Sequence, residues 1–343
     1  MSHSSTLTLL HFGAGNHAED PEKFKRLFKK ALKSRAVQPE GTDRGVSQIR
    51  QLIAVSSVIE DSSLTNTGMT SSVARDGTIQ SDSSIFFYDR IAKKHNQSSL
   101  LANTAARPIA ECASQYFAQQ KKNDLGLTPP VALVGVTDHN IEISDRMSQL
   151  YERYRNDLHR IDSMEKKIAS SIITDTIGVS VIDKHTASTG VSSGGSLFKK
   201  PGRIGCSGVV GAGCYTAQKD GALVNVLCSG NGEDIIQMDL ARSVCRHVLA
   251  NCHHGRLVCD LAAEAVYNAA QEVDLRALDD NFNPRLYVGV VGYFESPDQF
   301  RTVFYFHTTE TFVFGYATGL SNEFCFSRRP KLQAATKGQM YVK

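Results

Sequence analysis

Residues 6–12 are mostly apolar and strand-length, and they run into Gly13-Ala14-Gly15. Asp20, Pro21 and Glu22 then read as the N-cap and first turn of a helix, with Phe24, Leu27, Phe28, Ala31 and Leu32 on one stripe. Val46, Ile49, Leu52 and Ile53 predict a second helix, followed by a Ser-, Thr-, Asn- and Gly-rich loop over 61–72. The apolar run 131–136, after Pro129-Pro130, predicts a buried strand. Residues 138–170 are polar and charged, with helical propensity but little apolar face, which suits a surface helix or a mobile linker. Strand patterns return at 177–183 and 188–192. Helices follow on Ile235, Ile236, Leu240, Val244, Val248 and Leu249, and on Leu261, Ala262, Ala265, Val266 and Ala269. Strands at 286–294, 302–307 and 312–317 end the pattern. The order lacks the alternation of a doubly wound sheet and predicts an α+β sandwich, two sheets covered by helices.

Composition narrows the class without naming a function. With 41% hydrophobic and 21% charged residues, the 343-residue chain reads as globular. Its net charge of +3 is too small to argue for nucleic acid. The basic runs at 23–35 and Arg328-Arg329-Pro330-Lys331 read as solvated faces, the second also as a minor nuclear-address pattern. No segment approaches the ~20 apolar residues of a membrane span, and nothing at the N-terminus resembles a signal peptide. Eight cysteines without a C-x-x-C pair suggest reduced thiols in the cytoplasm or nucleus. Cys252, His253, His254 and Cys259 match no zinc spacing, so no metal is expected there.

The candidate chemistry centres on Asp175-Thr176. A threonine hydroxyl is a poor nucleophile without a base. Cleavage before Thr176 would free an α-amine, with an unperturbed pKa near ~8, beside that hydroxyl. The bland reading is an N-cap or turn. Four further segments carry unusual features: Ser192-Ser193-Gly194-Gly195, Pro201-Gly202-Arg203-Ile204-Gly205, Gly211-Ala212-Gly213, and Ser229-Gly230-Asn231-Gly232-Glu233. An arginine between glycines can present an anion-binding side chain, although most such arginines lie in surface loops. Backbone N–H groups where the last segment opens a helix can stabilise an oxyanion.

In this order the motifs resemble the type 2 asparaginases, N-terminal-nucleophile (Ntn) hydrolases that also include aspartylglucosaminidase and the threonine aspartases. His11-Phe12-Gly13-Ala14-Gly15 resembles the family's opening strand, residues 60–69 its Asn-Ala-Gly loop, and Asp82-Ser83-Ser84-Ile85 its Asp-Ala-Ser-Ile segment, so the resemblance covers about 6–250. It implies an αββα four-layer sandwich in one domain, 1–343. The chain would be a zymogen cleaved into 1–175, ending in a linker of about 138–175, and 176–343. By resemblance Thr176 is the nucleophile and Ser193 the hydroxyl that tunes it. Arg203 binds the substrate carboxylate, Ser229 and Gly230 form the oxyanion hole, and Asn66 belongs to a loop reaching the nucleophile. Residues 60–66 can hold a structural sodium through carbonyls; no other cofactor is implied. The implied assembly is a homodimer of processed protomers.

The departures separate the family's branches. Asparaginases carry Arg-Val-Gly-Asp, whose aspartate grips a substrate α-amine; here that position is Cys206. The threonine aspartases (taspases) also lack the aspartate, and cut proteins after aspartate, the residue type of Asp175. The leading expectation is therefore a taspase-like threonine endopeptidase acting on protein substrates. The alternatives are an isoaspartyl peptidase/L-asparaginase acting on small molecules, and an uncleaved family member that only binds. Phe12 and Thr70 replace small residues and are expected to crowd the site.

Overall fold

A computed structural model of the chain describes residues 6–17, 20–35, 44–119, 129–135, 143–155, 176–252, 255–279 and 281–342. Asp175, and with it the cleavage-point half of the Asp175-Thr176 expectation, lies outside them, as do His253 and His254. The larger sheet contains β1 (Leu7–Gly15), β2 (Ser81–Asp89), β3 (Lys94–Asn103), β4 (Ala132–Val134), β5 (Ile177–Ile182), β6 (Thr186–Ser193), β11 (Thr311–Ala317) and β12 (Asn322–Arg328). Its order is β12-β11-β1-β5-β6-β2-β3-β4. The smaller sheet orders β13 (Thr336–Tyr341), β10 (Arg301–His307), β9 (Val288–Glu295), β8 (Ala222–Gly230) and β7 (Cys214–Lys219). Pairing is antiparallel except between β3 and β4.

Helices cover the outer faces of the two sheets. α1 (Pro21–Lys33), α2 (Arg44–Glu60) and α3 (Pro108–Gln119) bury Phe24, Phe28, Leu52, Val55 and Ile109 against Leu10, Ile85 and Val179. The α1 start is as the sequence predicts: the Asp20 side chain accepts from Glu22 N at 2.9 Å, with proline in the first turn. α5 (Gly232–Gln237) and α6 (Leu240–Asn251) lead to α7 (Val258–Gln271); Val244, Val248, Leu261 and Val266 pack on Val224, Val290 and Phe304. Between the sheets, Leu9, Val191 and Phe314 meet Leu227, Val291 and Val303. The result is an α+β sandwich, with the central strands dividing their side chains between a helix face and a sheet face.

Two features of this arrangement shape the site. β1 carries a bulge between His11 and Gly13. Leu10 and Phe12 face the helices, yet Ala14 faces the opposite sheet. Phe12 thus does not crowd the site as expected; its ring packs on Phe24 with centroids 5.8 Å apart. The second feature is α4 (Asp145–Tyr154), in the region expected to be surface-exposed with little apolar face. Its Met147, Leu150, Tyr151 and Tyr154 pack on Val73, Ile79 and Phe198. These are spaced along one side of the helix, a stripe that the many charges between them obscure. The run at 131–136 is also corrected: β4 is an edge strand, with Val131 52% and Val134 69% exposed.

Phe24 is fully buried and contacts Phe12, His17 and Phe326. Phe24→Ala is expected to destabilise the protein by about 3–5 kcal/mol, measured by equilibrium denaturant unfolding.

Candidate active site

Thr176 immediately precedes β5 and is only 3% exposed. Ile177 opposes Ser192, so the antiparallel register brings Thr176 beside Ser193. Ile177 belongs to the helix-side core, which turns Thr176 and Gly178 towards the smaller sheet. A Cβ on Gly178 would stand 2.4 Å from His11 Nε2 and 3.1 Å from Leu227 of β8. The β5 start, the β1 bulge and the end of β8 therefore meet at one end of the space between the sheets.

Two hydroxyls are oriented there by backbone donors. Ser193 Oγ accepts from Gly195 N at 3.0 Å, and Ser229 Oγ accepts from Ala14 N at 2.9 Å. A hydroxyl that accepts in this way keeps its own proton to donate. Ser193 can donate towards Thr176, and Ser229 towards charge developing on a carbonyl oxygen. Gly230 has φ of 130°, and a Cβ there would meet Tyr287 O at 2.3 Å. Only glycine fits that turn.

Arg203 is not in a solvated loop: its side chain is 15% exposed. Nε and Nη2 donate to Glu233 Oε1 and Oε2 at 2.7 and 2.6 Å. Burial works against charge on both groups, but this bidentate pair overcomes it, holding Glu233 below its ordinary value and Arg203 above. The head group lies among glycines. A Cβ on Gly195 or Gly205 would reach within 2.5 or 2.8 Å of Nη1, and one on Gly232 within 2.8 Å of Nη2.

Cys206 links these parts. Its thiol lies near the Thr176 side chain and close to Arg203 and Glu233. Burial pushes that thiol up to about 11, so it is neutral at physiological pH. Asp82 braces the same loop, accepting from Gly205 N at 2.7 Å and from Ala102 N at 2.8 Å. Lys199 is buried, with Nζ donating to Gly194 O at 2.5 Å and to Gln80 O. Burial lowers it to about 8.

Asn66 acts at one remove among these contacts. Its Nδ2 donates to Gly195 O at 2.8 Å, its Oδ1 accepts from Ser72 N at 2.7 Å, and its carbonyl accepts from Gly194 N at 2.7 Å. It fixes the Gly194-Gly195 turn and so the edge of the Arg203 cage. Thr70 does not crowd the site: Oγ1 donates to Thr65 O and Thr67 O at 2.7 and 2.9 Å. The Thr65 hydroxyl donates to Ile59 O and Ser62 O. Where sodium is implied by resemblance, these carbonyls are thus tied into the loop: Ile59 O, Ser62 O and Thr67 O each already accept from two or more donors. Among the described residues no group of three His, Cys, Asp or Glu side chains could hold a metal ion.

Sequence reasoning left Glu233, Asp82, Lys199, His11 and Glu60 without roles. Glu233 and Asp82 stand inside recognised motifs, but nothing local shows that they converge on residues 203–205. His11 is fully buried, and burial lowers it to about 3 despite the nearby Thr176 carbonyl. Neither ring nitrogen has a partner of normal hydrogen-bond geometry among the described residues. It is therefore a neutral ring beside Thr176.

An α+β sandwich with a buried threonine at a strand start, two backbone-oriented hydroxyls and a caged arginine defines a candidate hydrolase site. The family profile described as asparaginase matches residues 4–275, and the chain belongs to this type 2 asparaginase family. Membership implies the Ntn-hydrolase fold, with which the helix-covered sheets agree. The chain is 28% identical over 263 residues to the probable isoaspartyl peptidase/L-asparaginase 2 of Arabidopsis thaliana, covering 68% of this chain and 78% of that protein. It is 25% identical over 227 residues to the plant-type L-asparaginase of Pyrococcus horikoshii, covering 62% of this chain and 67% of that one. The plant-type L-asparaginase of Pyrococcus furiosus is 25% identical over 202 residues, 54% of this chain and 61% of the relative.

Glu60 lies behind the site, on the helix side of β6. Its Oε1 accepts from Ile109 N at 2.9 Å, and Oε2 has no partner of normal geometry, with the Ser192 hydroxyl nearby. Burial raises its pKa from 4.5 to about 8. The folded chain keeps a proton that the unfolded chain releases near pH 4.5, so stability is fullest below that pH and declines as pH rises towards about 8. Glu60→Gln is expected to flatten this decline and to stabilise the protein at pH 8 by on the order of a few kcal/mol. Denaturant unfolding across pH 5–9 measures both effects, and an unchanged slope would contradict the assignment.

Proposed function

We propose that this family member is a threonine endopeptidase that cleaves itself between Asp175 and Thr176 and then hydrolyses proteins after aspartate. The observation that carries the reading is the neutral Cys206 thiol against Thr176, where family asparaginases place the carboxylate that grips a substrate ammonium. A peptide's backbone nitrogen is an uncharged amide and needs no such partner.

In processing, Thr176 Oγ attacks the Asp175 carbonyl carbon, the C–N bond breaks, and the acyl group shifts to oxygen as an ester. The hydroxyl proton passes to nitrogen as that bond breaks, which frees the Thr176 α-amine, and water then hydrolyses the ester to the Asp175 carboxyl group and the Thr176 hydroxyl. In turnover that amine takes the Thr176 hydroxyl proton as oxygen attacks the scissile carbonyl, and returns it to the leaving amine. Water, giving a proton to the same amine, then attacks the acyl ester, and the proton returns to Thr176 Oγ as the C–O bond breaks. Ser229 and the Gly230 N–H stabilise the oxyanion, while Ser193 holds the nucleophile's oxygen. Arg203 reads the aspartate side chain, in cis at Asp175 and in trans on substrates. The active species in this reading is a homodimer of processed protomers, acting in the cytoplasm or nucleus.

A second reading, isoaspartyl peptidase or L-asparaginase, has its own support. The relatives' names describe those activities, and Glu233 puts a carboxylate beside Arg203 that could face a substrate ammonium. Turnover of asparagine or β-aspartyl dipeptides, set against cleavage of a protein after aspartate, separates the two.

Wild-type protein should mature into two pieces, the second beginning Thr-Ile-Gly-Val by N-terminal sequencing. Thr176→Ala should remain one chain without activity, whereas Thr176→Ser should keep some of each. Arg203→Ala is expected to lose aspartate preference, with kcat/KM falling at least about tenfold, as for one lost charge-assisted hydrogen bond. A chain that stays intact on long incubation removes the enzyme reading.

A further inference from the structure

We propose that Glu233 is the positioning residue that selects how Arg203 meets a carboxylate, an inference that rests on Arg203 reading the aspartate side chain. A guanidinium offers two forks to a carboxylate: the side edge of Nε and Nη2, and the end edge of Nη1 and Nη2. Glu233 takes the side edge with both oxygens, at 2.7 and 2.6 Å. Nη1 donates to no group among the described residues and faces the gap left by Gly195 and Gly205, where an added Cβ would come within 2.5 and 2.8 Å. The end edge is therefore the one left for substrate, and it opens beside the turn that follows Ser193.

The pairing also fixes the head group. With glycines on three sides, the bidentate Glu233 pair restrains rotation about the arginine's last bonds. Glu233 stands in the first turn of α5, with its neighbour Asp234 holding Arg276 N and Ala277 N at 2.6 and 3.1 Å. The carboxylate is thus presented from an anchored helix start. A substrate carboxylate is tethered to a scissile carbonyl at Thr176 and has one line of approach, whereas a free anion can use whichever fork is open.

This difference supplies the test. On processed wild-type protein, Glu233→Gln and Glu233→Asp, KM and kcat are measured with a fluorogenic peptide of the chain's own Ile173–Gly178 sequence, with rates counted per Thr176 N-terminus. Inorganic sulfate binding is measured by calorimetry on the same samples. Glu233→Gln should raise the peptide KM about tenfold, the loss expected for a misaligned charge-assisted fork, with the loss on KM rather than kcat. Sulfate should bind several-fold tighter, because the side fork opens and the competing charge is gone. Glu233→Asp, which keeps the charge, should recover part of the KM and bind sulfate as wild type does. Unchanged KM and unchanged sulfate affinity in Glu233→Gln, with Arg203→Ala inactive on the peptide, overturns the inference and leaves the carboxylate reading standing. Arg203→Ala turning over the peptide like wild type removes the carboxylate reading itself.

Discussion

The guanidinium of Arg203 is the point on which the candidate site is organised. A buried cation needs a partner, and it needs room for a flat head group in its own plane. Glu233 meets the first need. The second explains glycines from three separate segments: Gly195 after β6, Gly205 beyond the arginine itself, and Gly232 at the start of α5. Gly205 and Gly232 have no positive φ, so backbone conformation gives no reason for them; the head group does. Asn66, Asp82 and Lys199 act on the same cage by holding the backbone of Gly194, Gly195 and Gly205. What reads in sequence as scattered Gly-rich turns is one container built around one side chain.

The Thr176 half of the candidate site follows from strand geometry. Thr176 reaches the space between the sheets because Ile177 is committed to the helix-side core. Ser193 reaches it because it opposes Thr176 one step beyond the Ile177–Ser192 pair. The bulge in β1 turns Ala14 towards β8, and its N–H then orients the Ser229 hydroxyl. A bulge is one extra residue, yet without it the alternation of β1 would carry Ala14 to the other face.

Much of this was legible in sequence where the signal is local. The α1 stripe and cap and the stripes of α6 and α7 can be read from spacing and turn chemistry, and the ordered motifs around Thr176, Ser193, Arg203 and Ser229 from their resemblance to the type 2 asparaginases. The hairpin of β2 and β3 could not, because Ser81, Asp82, Ser83 and Ser84 are polar yet buried. Their burial depends on distant acceptors: Ser83 Oγ donates to Pro108 O at 3.0 Å and Ser84 Oγ to Ser207 O at 2.7 Å. The same holds for the Glu233–Arg203 pair, joined across 30 positions. At β4 the difference runs the other way: the apolar run predicts a buried strand, but among the described residues no further strand lies beside β4, and its side chains are exposed.

Charge around the arginine bears on which substrates suit this pocket. Near the cage lie two cations, Arg203 and Lys199, and two carboxyls, Glu233 and Asp82. Asp82 is raised by burial even though Ala102 N and Gly205 N donate to it. A carboxylate at the Cys206 position would add a third acidic group and favour a zwitterion, whose ammonium it could pair. A thiol held neutral by burial removes that attraction and leaves its space to an uncharged group. With Glu233 already paired to Arg203, a free amino acid would bring its ammonium to a carboxylate whose charge the guanidinium already matches. A peptide brings an amide and carries no such mismatch. This charge balance supports the proposed reading, in which an aspartyl side chain is taken on a continuing backbone, the chemical situation of the chain's own bond before Thr176.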